Sequence, residues 1–589
     1  MSGSETAERH ISRRIIASAA VAALVVAGVI FGITKGGNSG SVSKGGTLLF
    51  ITNQTKFNHI DPARVYTGRD IAFFNSYLYR NLVSYKPAEG SAGSTLVPDL
   101  ASNTGVPSNN AKTWTFTLRA GITWQDGSPV TCADEQYGVS RAFATDVITD
   151  GPQYLVGALD IPVAPDGSSM YKGPYKKVGQ ALFDKAVTCD GNTVTFHLNR
   201  SFADFNYALT YPAGSPVKAS KDTGDTYDLM PFSNGPYMIS SYKVGDQMIL
   251  VRNPQWIQSS DTVRTPHPAN ITVRFGLPQD VADQMMLDNS TPNVVDLDSL
   301  QPANLRAFFA DPSKANQRLN VFDPYVRYAA MNVSAGHMDC LDIRKAVSFA
   351  YNLQGLIDLS GGATFYGAPG DNPIKPLLGL DYAPTTGNIH DPLWKVGGNP
   401  AEAKAFLARA KVVCPASYDR ATNPSKGLFY DLPNTATQQK AAVLIKSAME
   451  SAGIVMKFNF IPSGQFYSTV QDPTKQGDIS RAGWGPDWAN ASTVIYPLFV
   501  KEGGFDLSQN WADPVYASFK ASVLKNLALT NRAQQAAGWK KLAQFAMDQY
   551  WIVGTVFSKG QEVWGSKVGG VYFWEPQGTF GFGQLYVKA

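Results

Sequence analysis

The chain has 589 residues, 44% of them hydrophobic and 17% charged. One hydrophobic core stops growing at roughly 250–300 residues, so at least two lobes are expected, and the apolar content excludes a disordered polymer. The formal net charge is +4 with no block of Lys or Arg, so nucleic-acid binding has no electrostatic footprint.

At the N-terminus, Arg9, Arg13 and Arg14 precede an uncharged run from Ile15 to Ile33. Its length approaches the roughly 20 residues needed to cross a bilayer as a helix. The positive flank keeps the N-terminus in the cytoplasm and sends everything after Lys35 outward. Gly36 to Gly46 then form a Gly/Ser-rich tether. Three versions of this segment compete. It is an uncleaved transmembrane anchor on the outer face of the cell membrane, a cleaved signal peptide releasing a secreted protein, or a lipoprotein signal. The segment contains no Cys for a lipid and no small-x-small cleavage site just after the apolar run, so the anchor is the working expectation. Ser12-Arg13-Arg14 also hints at a twin-arginine export signal.

Beyond the tether, Thr47 to Thr52 (TLLFIT) reads as a buried strand. Trp114, Phe116 and Leu118 alternate with polar residues as a half-buried strand. Cys132 to Ala144 reads as a short helix, and Asp190-Gly191 as a hairpin turn before the strand of Val194, Phe196 and Leu198. Asn234-Gly235-Pro236-Tyr237 is a further turn before the strand Met248 to Val251. In the second half Asp342 is placed to cap a helix whose face carries Ile343, Val347, Ala350 and Leu353. Asn399-Pro400 opens a helix to Lys411. Thr437 opens another, which Gly453 ends, and Ile454, Met456, Phe458 and Phe460 alternate as the next strand. Helices alternating with strands make this an α/β protein. Cys132, Cys189, Cys340 and Cys414 are an even number in an exported chain, which suggests disulfides. None has C-x-x-C spacing and the six His are scattered, so no metal or cofactor is expected.

Four stretches in this order resemble the large extracytoplasmic solute-binding proteins of peptide and nickel ABC importers, the family 5, oligopeptide- and dipeptide-binding type. Leu96-Val-Pro98-Asp99-Leu100-Ala101 is followed by Trp114-Thr-Phe-Thr-Leu-Arg119, Gly121-Ile-Thr-Trp124, Asp126-Gly127 and a helix with Tyr137. Ser233-Asn-Gly-Pro-Tyr237 precedes Arg252-Asn253-Pro254. Ala330-Met331-Asn332 precedes Asp342-Ile-Arg344-Lys-Ala346, and Gly483-Trp484-Gly485-Pro486-Asp487-Trp488 comes last. The absence of a lipidated Cys departs from members in bacteria with one membrane.

The resemblance implies a two-lobed periplasmic-binding-protein-like fold, with an extra subdomain inserted in the first lobe and ligand enclosed by hinge closure. The expected division is residues 1–45 for the N-terminal segment and tether, 46–85 for the first part of lobe I and 86–199 for the inserted subdomain. Residues 200–325 then return to lobe I, 326–504 form lobe II, and 505–589 complete lobe I. That layout also implies the pairs Cys132–Cys189 and Cys340–Cys414, although the four Cys alone leave three pairings open. The implied function is capture of a peptide outside the membrane and its delivery to the permease subunits of an ABC importer, as a monomer apart from that complex. Another solute on the same fold, such as a metal chelate, a sugar-containing compound or a signalling peptide, is the alternative.

In members that bind peptides, an Asp in the last stretch pairs with the ligand's α-amino group, and Asp487 occupies that place. A desolvated ammonium needs a carboxylate partner. Trp484 and Trp488 flank it and are expected to exclude water; the plainer reading of Asp487 is a turn residue after Pro486. Arg481 is expected to balance a ligand carboxylate, or else to be a surface Arg. Tyr66 is a contact from the first lobe or a core residue, and main-chain groups around Gly483 are expected to bond a peptide backbone. An enzyme is the rival class, but H-E-x-x-H, G-x-S-x-G, P-loop and G-x-G-x-x-G patterns are all missing. The chain therefore reads as a receptor and not an enzyme.

Overall fold

A computed structural model describes residues 45–335, 338–462 and 465–589. The run from Ile15 to Ile33 lies outside the described residues, among which no helix is long and apolar enough to cross a membrane.

Two main sheets organise the α/β fold. In the first, Thr47–Ile51 lies between Asn270–Arg274 and Val294–Asp296 and runs parallel to both. A continuous apolar run suits this interior place, because both faces are covered: Phe50 enters one core and Ile51 another. Gln247–Arg252 and Tyr237–Lys243 extend the sheet antiparallel. The abundant aromatics pack edge to face here, Phe50 on Phe73 at 5.3 Å and Phe73 on Phe582 at 5.5 Å. Each such pair contributes about 0.5–1.5 kcal/mol beyond its buried area.

A smaller four-stranded sheet, Val106–Ser108, Thr113–Thr117, Thr193–His197 and Val187–Asp190 in spatial order, has its own core of Trp114, Phe116, Phe183, Val194 and Phe196. Helix Cys132–Arg141 starts at Thr131, whose hydroxyl and Asp134 form a reciprocal cap. The disulfide Cys132–Cys189 fastens that helix to the edge strand Val187–Asp190.

The second main sheet has six strands. Arg318–Met331 and Ile552–Val563 pair antiparallel at its centre, flanked by Gly367–Pro369 on one side and by Ile479–Trp484, Leu428–Pro433 and Met456–Ile461 on the other. Helices Leu341–Ala350, Pro400–Val413 and Ala436–Ser451 cover one face. The disulfide Cys340–Cys414 joins the start of the first of these helices to the end of the second. Both disulfides follow the pairing that the family resemblance implies. In the chain-entropy model, closing loops of 57 and 74 residues stabilises the fold by about 4 kcal/mol each.

Helix starts differ from expectation in two places. Asp342 lies in the first turn of its helix, whose cap position is Cys340. The cap of Ala436–Ser451 is Thr435 rather than Thr437, its side chain accepting from the Gln438 N–H. Asn399 caps Pro400–Val413 as expected.

The two long central strands connect the sheets. The end comprising Arg318–Phe322 and Lys559–Val563 reaches the first sheet, where Val563 enters its core and Val295 bridges to Trp564. The other end lies in the second. Residues 505–589 therefore do not form one piece of the first lobe. Helices Tyr516–Leu527 and Arg532–Asp548 pack with Val326, Tyr328, Ile495 and Trp551 on the second sheet, because Trp539 and Phe519 face that core. The stretch from Val563 onward joins the first sheet's cores, Val563 beside Ile51 and Val294, then Val568, Phe580 and Phe582 beside Phe50.

Candidate binding cleft

The register of Arg318–Met331 against Ile552–Val563 breaks between Phe322 and Val326. Pro324, which has no N–H for the ladder, sits in this bulge. Buried Lys375 holds the bulge by donating to Asp323 Oδ1 at 3.1 Å, to the Tyr325 carbonyl at 2.9 Å and to the Ser558 carbonyl at 2.6 Å. Burial pushes the Lys375 ammonium down to about 8, against the pull of Asp323. The bulge turns Tyr325 toward Gly485, where a Cβ would lie 2.7 Å from the tyrosine ring.

Past Trp484 the chain leaves the second sheet and packs on the first lobe. Trp488 is buried against Tyr154, ring centroids 5.0 Å apart, and against Phe202 at 6.0 Å. Tyr211 donates to the Asp487 carbonyl at 2.8 Å. Asn490 and Ser492 donate to the two oxygens of buried Asp204 at 2.9 and 2.6 Å. Burial pushes the Asp204 carboxyl up to about 6, opposed by the Ser492 hydroxyl and the Arg532 charge.

Beside these contacts lies an open cavity of about 340 Å³ whose lining includes Tyr66, Tyr211, Tyr325, Trp484, Asp487 and Phe505. Trp484 donates its indole N–H to the Thr493 carbonyl at 2.7 Å and stands against Phe505 at 4.7 Å. The Tyr66 hydroxyl donates to Asp487 Oδ1 at 3.2 Å and lies 3.1 Å from the Tyr154 hydroxyl. Asp487 forms no ion pair among the described residues. Burial pushes its carboxyl up to about 6, and the hydroxyls of Tyr154, Tyr66 and Tyr211 only partly offset that. A half-buried carboxylate held among neutral donors is under-stabilised, and a cation placed beside it restores the balance.

Of the residues singled out from sequence, the fold brings Tyr66, Gly483, Trp484 and Asp487 to one cavity. Trp488 packs behind Asp487 as an anchor in the first lobe's core rather than on the cavity wall. Arg481 lies outside that lining, its guanidinium donating to the Tyr366 hydroxyl at 2.5 Å. Tyr154, Tyr211, Tyr325 and Phe505 were not foreseen. The first two sit in stretches with no distinguishing pattern, whereas the Asp323-Pro324-Tyr325 break inside a strand was a readable sign of a bulge.

Residues 95–506 match the family model of bacterial extracellular solute-binding proteins, family 5 Middle. The probable D,D-dipeptide-binding periplasmic protein DdpA of Escherichia coli (strain K12) is 23% identical over 425 residues, 70% of each chain. The periplasmic oligopeptide-binding protein OppA of the same organism is 23% identical over 558 residues, 91% of each. Among solved structures, clavulanic acid biosynthesis oligopeptide binding protein 2 superposes with a TM-score of 0.82 at 25% identity, covering 93% of this chain and 96% of that one. The fold is thus the two-lobed α/β fold of periplasmic binding proteins, and the chain belongs to the bacterial extracellular solute-binding proteins, family 5.

Proposed function

We propose that this chain is the receptor of an ABC importer that captures peptides outside the membrane by their free α-amino group and passes them to the permease. The observation that carries this reading is Asp487, a carboxylate without a cationic partner among the described residues, facing an aromatic cavity between the lobes. The names of the relatives agree with it: DdpA is named a probable D,D-dipeptide-binding protein and OppA an oligopeptide-binding one. The role is binding and delivery, not catalysis, by a monomer outside the transporter complex. Trp484 and Phe505 shield the charge pair from water, and main-chain groups at Gly483 bond the peptide backbone. Residues 86–199 act as the inserted subdomain, and lobe II runs from about residue 326 to about 551 before the chain returns along Ile552–Val563.

Calorimetry tests the reading. Asp487→Ala should weaken binding of a free-amine peptide by about a hundredfold or more, because breaking a buried charge pair costs about 3–5 kcal/mol. Acetylating the peptide's N-terminus should cause a similar loss in the wild type, and the two changes should not add. Harmless acetylation would rule out amine capture by Asp487.

The run Ile15–Ile33 serves as the export segment and, retained, as the membrane anchor. An intact mass of the native protein that includes Met1 through the tether supports the anchor. A mature N-terminus starting after the run would show cleavage and secretion instead.

A further inference from the structure

Two of the tyrosines that hold Asp487 are fastened to each other by a clasp that is not part of the cavity lining. Tyr66 follows Arg64 by two residues and Tyr154 follows Asp150 by four. The two hydroxyls lie 3.1 Å apart, and both bond the Asp487 carboxylate. The segments that carry them touch just before: a Cβ at Gly151, whose φ of +100° suits glycine, would lie 2.5 Å from the Ala63 carbonyl oxygen.

His59 closes the clasp. Its Nε2 lies 2.8 Å from Asp150 Oδ2 and its Nδ1 2.8 Å from Asp228 Oδ2. Arg64 runs beside it, Nε donating to Asp150 Oδ1 at 2.8 Å and Nη1 to Asp225 Oδ1 at 2.9 Å. Asp228 is fixed in turn, since its Oδ1 accepts from the Ile60 and Asp61 N–H groups at 2.6 and 2.8 Å. An ionised carboxylate only accepts, and a neutral imidazole has one donor. Both contacts are hydrogen bonds only when the ring carries its second proton. His59 keeps 20% of its side-chain surface exposed, so that proton exchanges with solvent. Partial burial would raise the Asp150 carboxyl, but Arg64 and the His59 charge outweigh it and hold the group below its usual range. The other groups nearby do not compete for the ring: Asp61 pairs with Arg141, and Tyr79 and Tyr242, raised by burial, stay neutral.

Building on the capture of a peptide amine by Asp487, we propose that protonated His59 is a positioning residue for binding: by bridging Asp150 and Asp228 it holds the Tyr66 and Tyr154 hydroxyls on Asp487, and affinity then depends on a proton outside the cleft. With the ring neutral, one of its nitrogens confronts a carboxylate lone pair to lone pair. The segment of Tyr154 is then released from that of Tyr66. Asp487 loses hydroxyl donors that favour its ionised form, and a smaller ionised fraction is ready for the ammonium. The sign is that of a histidine with acidic partners: the clasp is complete at low pH and is lost as pH rises through the titration of the ring.

The test uses the full chain, His59→Gln with melting and circular dichroism like wild type, and alanine peptides of two to five residues. The Asp487 carboxyl, followed by carbon-13 NMR and assigned by its loss in Asp487→Asn, should titrate higher in His59→Gln than its wild-type value of about 6. This readout needs no ligand. Calorimetry at about pH 6 should show the peptides bound about fivefold more weakly by His59→Gln than by wild type, the low end of couplings between linked sites. That ratio should fall toward one as pH rises and the His59 ring, followed by its own NMR signal, gives up its proton. The peptide amine titrates alike in both proteins and cancels in the ratio. An unchanged Asp487 titration with equal affinities would overturn the proposal while the peptide reading stands. So would a deficit that stays constant with pH, which would mark a structural role. If the folded wild type binds none of the peptides, the peptide reading fails, whereas a raised Asp487 titration in His59→Gln still supports the clasp.

Discussion

Asp487 serves two ends that oppose each other. Its carboxyl is raised to about 6 by burial, above the ordinary value near 3.9 that it has in an unfolded chain. The folded, ligand-free protein therefore holds a proton more tightly than the unfolded chain does. The stability this contributes is full below about pH 4 and is lost as pH rises through about 6. Binding has the reverse sign. A peptide ammonium, whose own pKa is about 7.7–8.0, pairs only with the ionised carboxylate. Affinity for a free-amine peptide should therefore fall by up to about tenfold per unit as pH drops below about 6. Asp487→Asn should remove that slope and, at pH 7, raise the melting temperature while destroying tight binding. Calorimetry between pH 5 and 7.5, together with thermal melts, reads both. A pH-independent affinity in the wild type would show that Asp487 does not carry the ligand's charge. The identity of this residue was legible in the sequence because Gly483-Trp484-Gly485-Pro486-Asp487-Trp488 is a contiguous stretch. Of its tyrosine surroundings only Tyr66 was, through the family resemblance; Tyr154 and Tyr211 lie hundreds of residues away along the chain in stretches without a motif.

At the scale of elements, periodicity was reliable where one face of a strand is buried. Val194 and Phe196 alternate with exposed or half-buried neighbours in Thr193–His197, as the pattern requires. Asn399-Pro400 marked a helix start because both residues act locally, one as cap and one as an N-terminal residue that needs no N–H. Thr435 and Thr437 were harder to separate. Both are good caps by residue type, and the choice depends on which hydroxyl meets an N–H three residues on; Thr435 does. The bulge at Asp323-Pro324-Tyr325 matters most for the site. It gives Tyr325 to the cavity, and its hold comes from Lys375 and Ser558, two residues remote in sequence from it and from each other.

For the whole molecule, the decisive feature is that the segment after Trp484 belongs to one lobe by its chain and to the other by its packing. Trp488 sits in the first lobe's core, and Asp204 accepts from Asn490 and Ser492. The stretch that lines the cavity through Asp487 is thus tied into the first lobe directly after it, and closure of the lobes on a bound peptide is the expected outcome. Small-angle scattering should show a smaller radius of gyration with saturating peptide than without it. An unchanged radius would mean a rigid, preformed cavity. By itself the sequence determined the α/β class, the minority of elements with a clear period or cap and, through the family resemblance that its short motifs carry, the two-lobed architecture and the Asp487 stretch. These rest on local periodicity and on short contiguous motifs. The tertiary structure alone decided that helices 516–548 join the second lobe, that Trp488 is an anchor and not a wall, and that Tyr154, Tyr211 and Tyr325 stand around Asp487. Those outcomes depend on strand register and on which distant side chains a close-packed interior brings within a few ångströms, and no spacing along the chain encodes either.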